Sequence, residues 1–517
     1  MNAVFATQGL GLRFHYRLAN VLTPVLPLER RGFYVCDAQF HQTFVRETPT
    51  FSSESHVVSE WEILREARSA SADIPWLRRR EREMEAGPLW DALVCDRRMM
   101  QGRWCKERQD YRPRFTHDEF LRILTVALRR VEAWFDQVRP DLLFGLVPVT
   151  FGEYLIWMVA RSRDVPGLYF YPTKIRNFMC WMDGFDGQPR NVRRAYDQYR
   201  SGFVDQWVSE AAKYVHDAQG GEVRYEGMIA IPGRVASGKP RGTVWQLLRS
   251  EYEYRTGPAA ADNHVESPLL LQGQRRILAP IRRLRVSRYL SDRYVSAEDL
   301  PGLDYVFYPM HAEPEVALSI HGRPYVNQIE TVRNLARSLP AGMIVVTKEH
   351  PRSIGYRPPR YYEKLLRIPN VRIADPHIES SQVVRHAAAI AAVWSFVGFE
   401  GVLARKPVIS LGTPLYTLLP STMVRHVTEP ARMREALHEL LSSYEYDRHA
   451  VVQFVAACMR TSVPMNFYAS HLDKQGRYGS ESEAVEYDAF VQYTCARARE
   501  AQALAHQVDS GIRAVVR

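Results

Sequence analysis

Short apolar runs alternate with helical segments through residues 304–410, and this alternation limits the fold more than any other feature of the chain. The apolar runs are short enough to be strands, and the segments between them have helical composition. The predicted strands are residues 304–309, 342–346, 371–373, 389–393 and 407–410, and the predicted helices are 331–338, 361–367, 380–388 and 398–404. Regular alternation of this kind predicts a parallel, doubly wound sheet.

The first half of the chain carries the same pattern less clearly. Residues 141–146, 153–162 and 167–171 follow one another as strand, helix and strand, which is a βαβ unit. Residues 59–137 are charged and predicted to be helical, and residues 172–300 have the composition of an insertion and linker. We therefore expect an α/β protein in which two Rossmann-like domains face a cleft. The expected units are an N-terminal domain over 1–300, a C-terminal domain over 301–460 and a helical tail over 461–517.

Composition narrows the class of protein. At 517 residues the chain is too long for one core, and no apolar run is long enough to span a bilayer. The N-terminus lacks the basic and apolar regions of a signal peptide, and the six cysteines are scattered, so we expect a cytoplasmic protein without a disulfide framework or a zinc site. The sequence also contains neither a G-x-G-x-x-G nor a P-loop motif, which disfavours dinucleotide oxidoreductases and P-loop ATPases.

The formal net charge of +10 leaves two interpretations open. The surplus suits anionic sugars, nucleotides or an anionic membrane surface, but ordinary surface arginines explain it equally well. The basic run over residues 275–288 is interleaved with apolar residues, and a solvated helix face is favoured there over contact with a membrane or an acceptor. No motif supports nucleic-acid binding.

Two segments predict a phosphate site. Lys348, Glu349, His350 and Pro351 directly follow an apolar run, and residues 394–400 follow a second one and open a helix. Ligands of open α/β sheets bind at the carboxyl ends of the strands. A cation and an imidazole opposite a helix N-terminus suit a phosphate. The pairing therefore predicts a nucleotide-activated substrate, and so a transferase.

Each residue of the first segment has a functional and an ordinary interpretation. His350 would bind the donor phosphate and stabilise the charge that develops on the departing nucleotide, and otherwise it is a capping or core histidine. Lys348 would add a second cation that stabilises the same negative charge, and Pro351 would fix the backbone that leaves the strand.

The second segment is interpreted in the same way. Ser395 would complete the phosphate cradle with the N–H groups of the following helix, or would only cap that helix. Glu400 would accept hydrogen bonds from a ribose or stabilise the helix dipole. Gly398 would let the backbone approach the ligand or serve packing.

Residues 304–416 resemble a known family. His311, Glu313, Glu315, Gln328, the Lys348–Pro351 segment, the Ser395–Glu400 segment and the run 406–409 are similar to the capsule polysaccharide synthesis family, which includes retaining β-Kdo transferases of GT-B fold (Kdo is 3-deoxy-D-manno-octulosonic acid). There are two departures. Glu313 stands where the family commonly has glutamine, and Ser395 is a single hydroxyl where several relatives have a pair.

The resemblance implies further roles. Glu315 and Gln328 would bind the sugar or nucleotide or brace the loop, and His311 and Glu313 would lie with them at the donor sugar or cleft. A catalytic carboxylate should come from the N-terminal domain, as nucleophile or as base, and Glu153, Asp183 and Asp186 are the candidates. For each, a helix-capping or surface acid is the favoured ordinary interpretation.

Arg13 and His15, which follow a glycine turn, are candidates for acceptor binding. No Asp-x-Asp motif is present, so neither a metal nor a cofactor beyond the nucleotide-sugar donor is expected.

The resulting hypothesis is a GT-B glycosyltransferase that moves Kdo, or a similar 2-keto acid, from its CMP donor onto a bacterial surface polysaccharide or lipid-linked glycan. The alternatives are a GT-B transferase that uses a UDP-sugar or CDP-glycerol, a sugar epimerase of related fold, and a non-catalytic glycan-binding or export partner. The expected partners are the donor, a glycan or glycolipid acceptor, and peripheral contact with the inner membrane or glycan-assembly proteins.

Overall fold

The computed structural model describes residues 1–9, 11–102, 104, 107–109, 112–184, 189–219, 244–257, 260, 262–313, 315–472 and 481–515. The strands in these ranges are β1 (Asn2–Ala6), β2 (Arg30–Val35), β3 (His56–Ser59), β4 (Leu142–Leu146), β5 (Gly167–Pro172), β6 (Phe178–Met182), β7 (Tyr294–Val295), β8 (Tyr305–Pro309), β9 (Ile344–Lys348), β10 (Val371–Ala374), β11 (Ala389–Ala392), β12 (Val408–Ser410), β13 (Val424–His426) and β14 (Val463–Pro464).

Helices surround both sheets. In the first half they are α1 (Gly11–Leu22), α2 (Ala38–Glu47), α3 (Thr50–Glu54), α4 (Glu60–Ala67), α5 (Ile74–Met84), α6 (Trp90–Cys95), α7 (Arg97–Met100), α8 (His117–Val138), α9 (Phe151–Ser162), α10 (Arg190–Arg200), α11 (Gln206–Gln219) and α12 (Val244–Thr256). In the second half they are α13 (Pro268–Gly273), α14 (Ala279–Leu290), α15 (Val316–Ser319), α16 (Gln328–Ser338), α17 (Pro359–Leu366), α18 (Ser380–His386), α19 (Phe396–Leu403), α20 (Met433–Ser443), α21 (Arg448–Arg460) and α22 (Glu481–Val515).

The first sheet has the strand order β14-β6-β5-β4-β1-β2-β3. Strands β1 to β5 are parallel to one another. Strand β6 pairs antiparallel with β5, and β14 pairs antiparallel with β6. The strand order reverses between β1 and β4, so the carboxyl ends of those two strands form the expected binding edge. Strand β6 falls in the segment predicted as insertion and linker, and β3, which no prediction covered, ends where the segment predicted to be helical begins.

The second sheet is parallel throughout and has the order β13-β12-β11-β8-β9-β10-β7. Its six longer strands follow the doubly wound order 3-2-1-4-5-6, with the reversal between β8 and β11. The expected architecture of two Rossmann-like α/β domains in a GT-B-like chain is confirmed. Strand β7 begins at Tyr294, so the second sheet starts a few residues before the expected boundary at 301.

Helices α10 and α11 lie in the segment predicted as insertion and linker, but they belong to the core of the second domain. Val192 and Tyr214 are buried in one apolar cluster with Tyr305 and Ile390 of the second sheet, and α21 packs against both helices. Helices α10 and α11 therefore belong to the second domain, although they lie within residues 1–300, which were expected to form the first. Their polar composition, with apolar residues on a single face, hides this role in the sequence.

The tail expected over 461–517 packs back on the first domain. Strand β14 pairs with β6, and Phe490 of α22 is fully buried against Phe14, Phe170 and Trp181. The Trp181 indole donates a 2.8 Å hydrogen bond to Thr494 Oγ1. The C-terminal end of the chain thus returns from the second domain to the first. Within the described ranges, no helix combines the length and apolar character needed to cross a membrane.

We predict that Phe490→Ala lowers the free energy of unfolding by about 3–5 kcal/mol, because it opens a cavity among packed aromatic rings. Val485 on the same helix is 63% exposed, and Val485→Ala should change stability by no more than about 0.5 kcal/mol. Urea unfolding followed by tryptophan fluorescence measures both. Equal effects of the two substitutions would mean that α22 does not dock as described.

Candidate functional site

Two of the residues predicted to bind the nucleotide, Lys348 and Glu400, lie near each other at the carboxyl edge of the second sheet. Lys348 ends β9, and its Nζ lies 3.4 Å from Ser380 Oγ. Burial lowers the pKa of Lys348, and the charges of Glu400 and Asp375 oppose that shift. Burial raises the pKa of Glu400 to about 7, and Lys348 opposes it in turn. The cation of β9 and the carboxyl of α19 therefore act on each other at this edge.

His350 follows β9 directly and is exposed. Its carbonyl accepts a 2.8 Å hydrogen bond from Ser353 N, and Pro351 opens the short 3-10 turn at this point. Pro351 thus begins the turn that leads away from β9, and His350 lies at the surface two residues after Lys348.

Ser395 is the N-cap of α19, and its Oγ accepts a 3.1 Å hydrogen bond from Val397 N. It reaches the same edge from β11, next to the strand reversal. Gly398 is explained by packing, since a Cβ there would lie 2.1 Å from Tyr416 Oη. The ordinary interpretation of Gly398 is thus the one that the geometry supports.

Gln328 and Glu313 brace a loop. Gln328 is fully buried; it accepts a 2.8 Å hydrogen bond from His311 N and donates one of 2.9 Å to His311 O. Glu313 accepts hydrogen bonds from Gln328 and Gln109, and one of 2.7 Å from Tyr361 Oη. These bonds hold the loop that follows β8, so Gln328 and Glu313 are structural supports rather than open cleft groups.

A buried ion pair that the sequence did not predict connects this loop to β9. Arg357 donates to Glu349 Oε1 at 2.5 Å and also to His311 O, and both side chains are buried. Tyr362 donates to the second oxygen of Glu349. In the sequence, only the position of Glu349 between Lys348 and His350 could have indicated this ion pair. The ion pair fixes the backbone on either side of the predicted phosphate-binding residues.

Glu315 is the acid that the loop presents to the cleft. His311 Nδ1 lies 3.2 Å from its Oε2, and the carboxyl is 47% exposed. Burial alone would raise the pKa of Glu315, but the hydrogen bond with His311 and the charges of His311, Lys174 and Arg97 outweigh burial and lower it. The cleft therefore keeps Glu315 ionised.

Lys174 reaches this acid from the first domain. It lies between β5 and β6 with φ of +66°, and its Nζ donates a 2.8 Å hydrogen bond to Trp394 O. Burial lowers the pKa of Lys174 to about 8, and Glu315 opposes that shift. Sequence reasoning missed this residue, although its place just beyond the carboxyl end of a strand was a signal. It brings a cation from across the cleft to the residue before Ser395.

An aromatic cluster joins the domains beside Lys174. The His321 ring stacks on Trp394 with centroids 3.5 Å apart, and the Trp394 indole donates to Tyr171 Oη. Burial lowers the pKa of His321 to about 3, so the ring is neutral. Neither of its nitrogens has a hydrogen-bond partner among the described residues.

Two of the three candidate catalytic acids, Glu153 and Asp183, lie at opposite edges of the first sheet. Glu153 follows β4 at the carboxyl edge, where it forms a capping box with Thr150 and is buried. Asp183 follows β6, which runs antiparallel to β5, so it lies at the amino edge. Asp183 accepts hydrogen bonds from Arg497 at 2.6 Å and from Arg190 N at 3.0 Å. Its geometry is that of an acid tying α22 to the domain. Asp186 lies outside the described residues.

The proposed acceptor residues also have structural roles. His15 is fully buried between Phe5 and Phe14, and burial lowers its pKa to about 3. Arg13 forms an ion pair with Glu47. Burial removes His15 from the surface that an acceptor could reach.

Among the described residues, Cys36, Glu60 and His264 place potential metal ligand atoms within 4.8 Å of one another. His264 Nε2 lies 2.8 Å from Glu60 Oε1, and Tyr34 donates a 2.8 Å hydrogen bond to the other oxygen. Burial raises the pKa of the Cys36 thiol well above its usual value. The Glu60 carboxyl thus has hydrogen-bond partners of its own, and it lies beside a thiol whose burial favours the protonated form.

A cavity of about 680 Å³ runs along the domain interface. It is lined by Arg161, Asp183, Arg190, His321 and Arg323 among others. Asp183 is thus the candidate catalytic acid that faces this cavity, and none of the predicted nucleotide-binding residues lines it. The cavity and the carboxyl edge of the second sheet are therefore separate features, and the charged groups at the edge define the candidate site.

Comparison with known proteins supports the resemblance seen in the sequence. Residues 274–457 match the family described as capsule polysaccharide biosynthesis protein. The resemblance is thereby confirmed for this region. Protein FixF of Sinorhizobium fredii is 32% identical over 161 residues, which cover 29% of this chain and 36% of FixF. The chain thus spans little more than a third of the curated relative that it matches.

Solved structures give distant matches. KpsC of Thermosulfurimonas dismutans, a β-Kdo 2,7 transferase, aligns with 11% identity and a TM-score of 0.34 over 70% of this chain and 89% of that chain. The UDP-GlcNAc 2-epimerase of Methanocaldococcus jannaschii aligns with 11% identity and a TM-score of 0.23 over 86% and 94%. At these scores, the fold assignment depends on the strand orders described above.

The buried carboxyl of Glu153 predicts a pH effect on stability. Burial raises its pKa from 4.5 to about 8, so the folded state holds a proton that the unfolded state releases. The free energy of unfolding should therefore fall as pH rises through this window. We expect Glu153→Gln to remove part of that fall, on the order of 2 kcal/mol between about pH 5 and pH 8.

Thermal unfolding across this pH range provides the measurement. Glu119 also closes a capping box, but hydrogen bonds from Thr116 lower its pKa, so Glu119→Gln should leave the slope unchanged. An unchanged slope in Glu153→Gln would show that Glu153 is ionised in the folded protein.

Proposed function

We propose that the chain is a glycosyltransferase that transfers Kdo, or a similar 2-keto acid, from a CMP-linked donor to a surface polysaccharide or lipid-linked glycan. The observation that carries the proposal is the convergence of Lys348 and His350 from β9 with Ser395 and the N-terminus of α19, next to the strand reversal. The family match over residues 274–457 covers all four features.

The chemistry at this edge favours departure of a nucleotide. When the glycosidic bond to the phosphate breaks, negative charge grows on the phosphate oxygens. Lys348 offers one cation, the N–H groups at the start of α19 offer partial positive charge, and a protonated His350 would add a second cation. Glu400, with its pKa near 7, carries little opposing charge in mildly acidic solution.

The donor sugar would lie between the domains. Lys174 and Glu315 face each other there, and a 2-keto acid sugar carries both a carboxylate and hydroxyl groups. We assign Lys174 to the carboxylate and Glu315 to the hydroxyls of the sugar or acceptor. A hexose donor has no carboxylate for Lys174, which favours the 2-keto acid over a UDP-hexose.

Nucleotide binding tests the first part of the proposal. We expect CMP to raise the melting temperature of the full chain, because a ligand that binds only the folded state stabilises it. His350→Ala should weaken CMP binding by roughly tenfold, which is the effect of losing one charge-assisted hydrogen bond.

The matched control is His386→Ala. His386 is an exposed histidine at the end of α18, on the opposite edge of the same sheet, and its removal should leave CMP binding unchanged. Stabilisation by UDP or CDP in place of CMP would shift the donor to a UDP-sugar or CDP-glycerol. Absence of any nucleotide response from folded protein would favour the glycan-binding alternative.

Lys174 tests the nature of the sugar. Lys174→Met should weaken binding of CMP-Kdo by roughly tenfold or more, and binding of CMP by less than about twofold, because only the donor carries the sugar carboxylate. Isothermal titration calorimetry with both ligands gives the comparison. Lys364→Met, at an exposed position on α17, is the control. An equal loss for CMP and CMP-Kdo would place Lys174 at the nucleotide or in a purely structural role.

A further inference from the structure

The helices that connect the two domains expose an unusual amount of apolar surface. Trp245 is 81% exposed, Tyr252 is 69%, Ile277 is 62% and Leu284 is 66%. Smaller exposed fractions at Leu248, Leu269, Leu270, Leu278 and Ile281 extend the same surface. Most of the large apolar side chains that the described residues expose therefore fall within residues 244–284. Contiguous apolar surface of this kind marks a binding site.

The apolar side chains share one side of a helix. Residues 268–290 form a continuous helix through α13, a π-turn over Gln274–Leu278 and α14. Ile277, Ile281 and Leu284 follow one another at spacings of four and three residues, which places them on one face. On α12, Trp245, Leu248 and Tyr252 repeat the spacing, and α12 packs against α13.

Arginines flank this apolar face. Arg276 and Arg283 lie on one side of it and Arg285 on the other, and all three are exposed. By contrast, Arg282 points inward, where it donates hydrogen bonds to Glu107 O at 3.0 Å and Gly355 O at 3.3 Å. A helix with an apolar face bordered by cations suits the boundary between the acyl chains and the head groups of an anionic bilayer. Tryptophan and tyrosine, as on α12, favour the same depth.

We propose that the helices over residues 244–256 and 268–290 form a membrane-docking surface that binds anionic phospholipid bilayers. The charge and the apolar character of the surface distinguish between a second copy of the chain, nucleic acid and a bilayer as the occupant. Two copies of the chain that met through this surface would bring their arginines together, and like charges oppose such a contact. Nucleic acid would leave the leucine and isoleucine side chains without apolar contacts. An anionic bilayer satisfies both the apolar and the cationic groups.

The surface also lies against the candidate donor site. The loop after His350 packs on α14, and a Cβ on Gly355, whose φ is +84°, would lie 2.7 Å from Arg283 N. A helix held at the bilayer surface would therefore hold this loop close to a lipid-linked acceptor. Membrane docking itself does not depend on the proposed transfer reaction.

Vesicle flotation of the full chain tests the proposal, with vesicles of phosphatidylcholine alone or with phosphatidylglycerol added. We expect binding to the anionic vesicles only, and weaker binding at high salt. The double variant Ile277→Glu, Leu284→Glu should bind at least about tenfold more weakly, because each substitution places a charge in the apolar face. Val485→Glu, at an equally exposed apolar position on α22, should bind like the parent.

A second pair of variants tests the charges. Arg276→Glu with Arg283→Glu should weaken binding to anionic vesicles by at least about tenfold, whereas Arg434→Glu, on the exposed face of α20, should have little effect. Melting temperatures in lipid-free buffer confirm that each variant is folded.

Three results would overturn the proposal. They are no binding to anionic vesicles, equal binding by the Ile277→Glu, Leu284→Glu variant, and a dimer in sedimentation velocity that this variant dissociates. The third would show that a second copy covers the surface. Nucleotide binding in the absence of lipid is a separate readout, so a failure of docking is distinguishable from a failure of the proposed function.

Discussion

The arrangement of the candidate site depends on one buried cation. The Arg357 guanidinium is almost completely buried, and it contacts Glu349, the carbonyl of His311 and the ring of Tyr361. A buried charge is tolerated only when it is paired and hydrogen-bonded, and the removal of one partner leaves the other without compensation. Burial opposes the charged form of Arg357, but the surrounding acidic and phenolic groups outweigh it and raise its pKa. The loops that follow β8 and β9 are thus fixed to each other before any ligand arrives.

This buried ion pair distinguishes the residues that support the two loops from those that are proposed to bind the ligand. The supporting residues make their hydrogen bonds within the loops; they are Glu313, Gln328 and Glu349. The residues proposed to bind the ligand lie on the same segments, with side chains at the edge of the sheet; they are Glu315, Lys348 and His350. Directly after β9, Glu349 turns to Arg357, while the Nζ of its neighbour Lys348 lies near Ser380. A rigid support next to a ligand-binding group keeps that group in place without induced movement.

The sequence predicted the second domain well and the first domain in part. Strands β8, β9 and β11 are apolar runs bounded by polar residues, and their carboxyl ends locate Lys348, His350 and Ser395 without a structure. The roles of Gln328 and Glu313 were not decidable, because a buried amide and a ligand-binding amide look alike in a sequence. The place of Lys174 beyond the carboxyl end of β5 was a signal, but its partner, Trp394, is 220 residues away and the sequence does not connect the two. Contacts between domains are set by tertiary packing, and no local pattern encodes them.

Contacts of several kinds join the two domains. Lys174 donates to Trp394 O, and Arg323 pairs with Asp91 and donates to Tyr154 Oη, so several polar contacts cross the interface. Buried apolar side chains cross it as well, since Tyr171 and Met182 of the first domain share an apolar cluster with Tyr308 of the second. The connecting helix over 268–290 and the returning helix α22 are anchored, by Arg282 and by buried aromatic rings respectively. The two domains are therefore joined by buried apolar contacts as well as by the polar contacts of Lys174 and Arg323, and the loop after His350 is attached to the connecting helix.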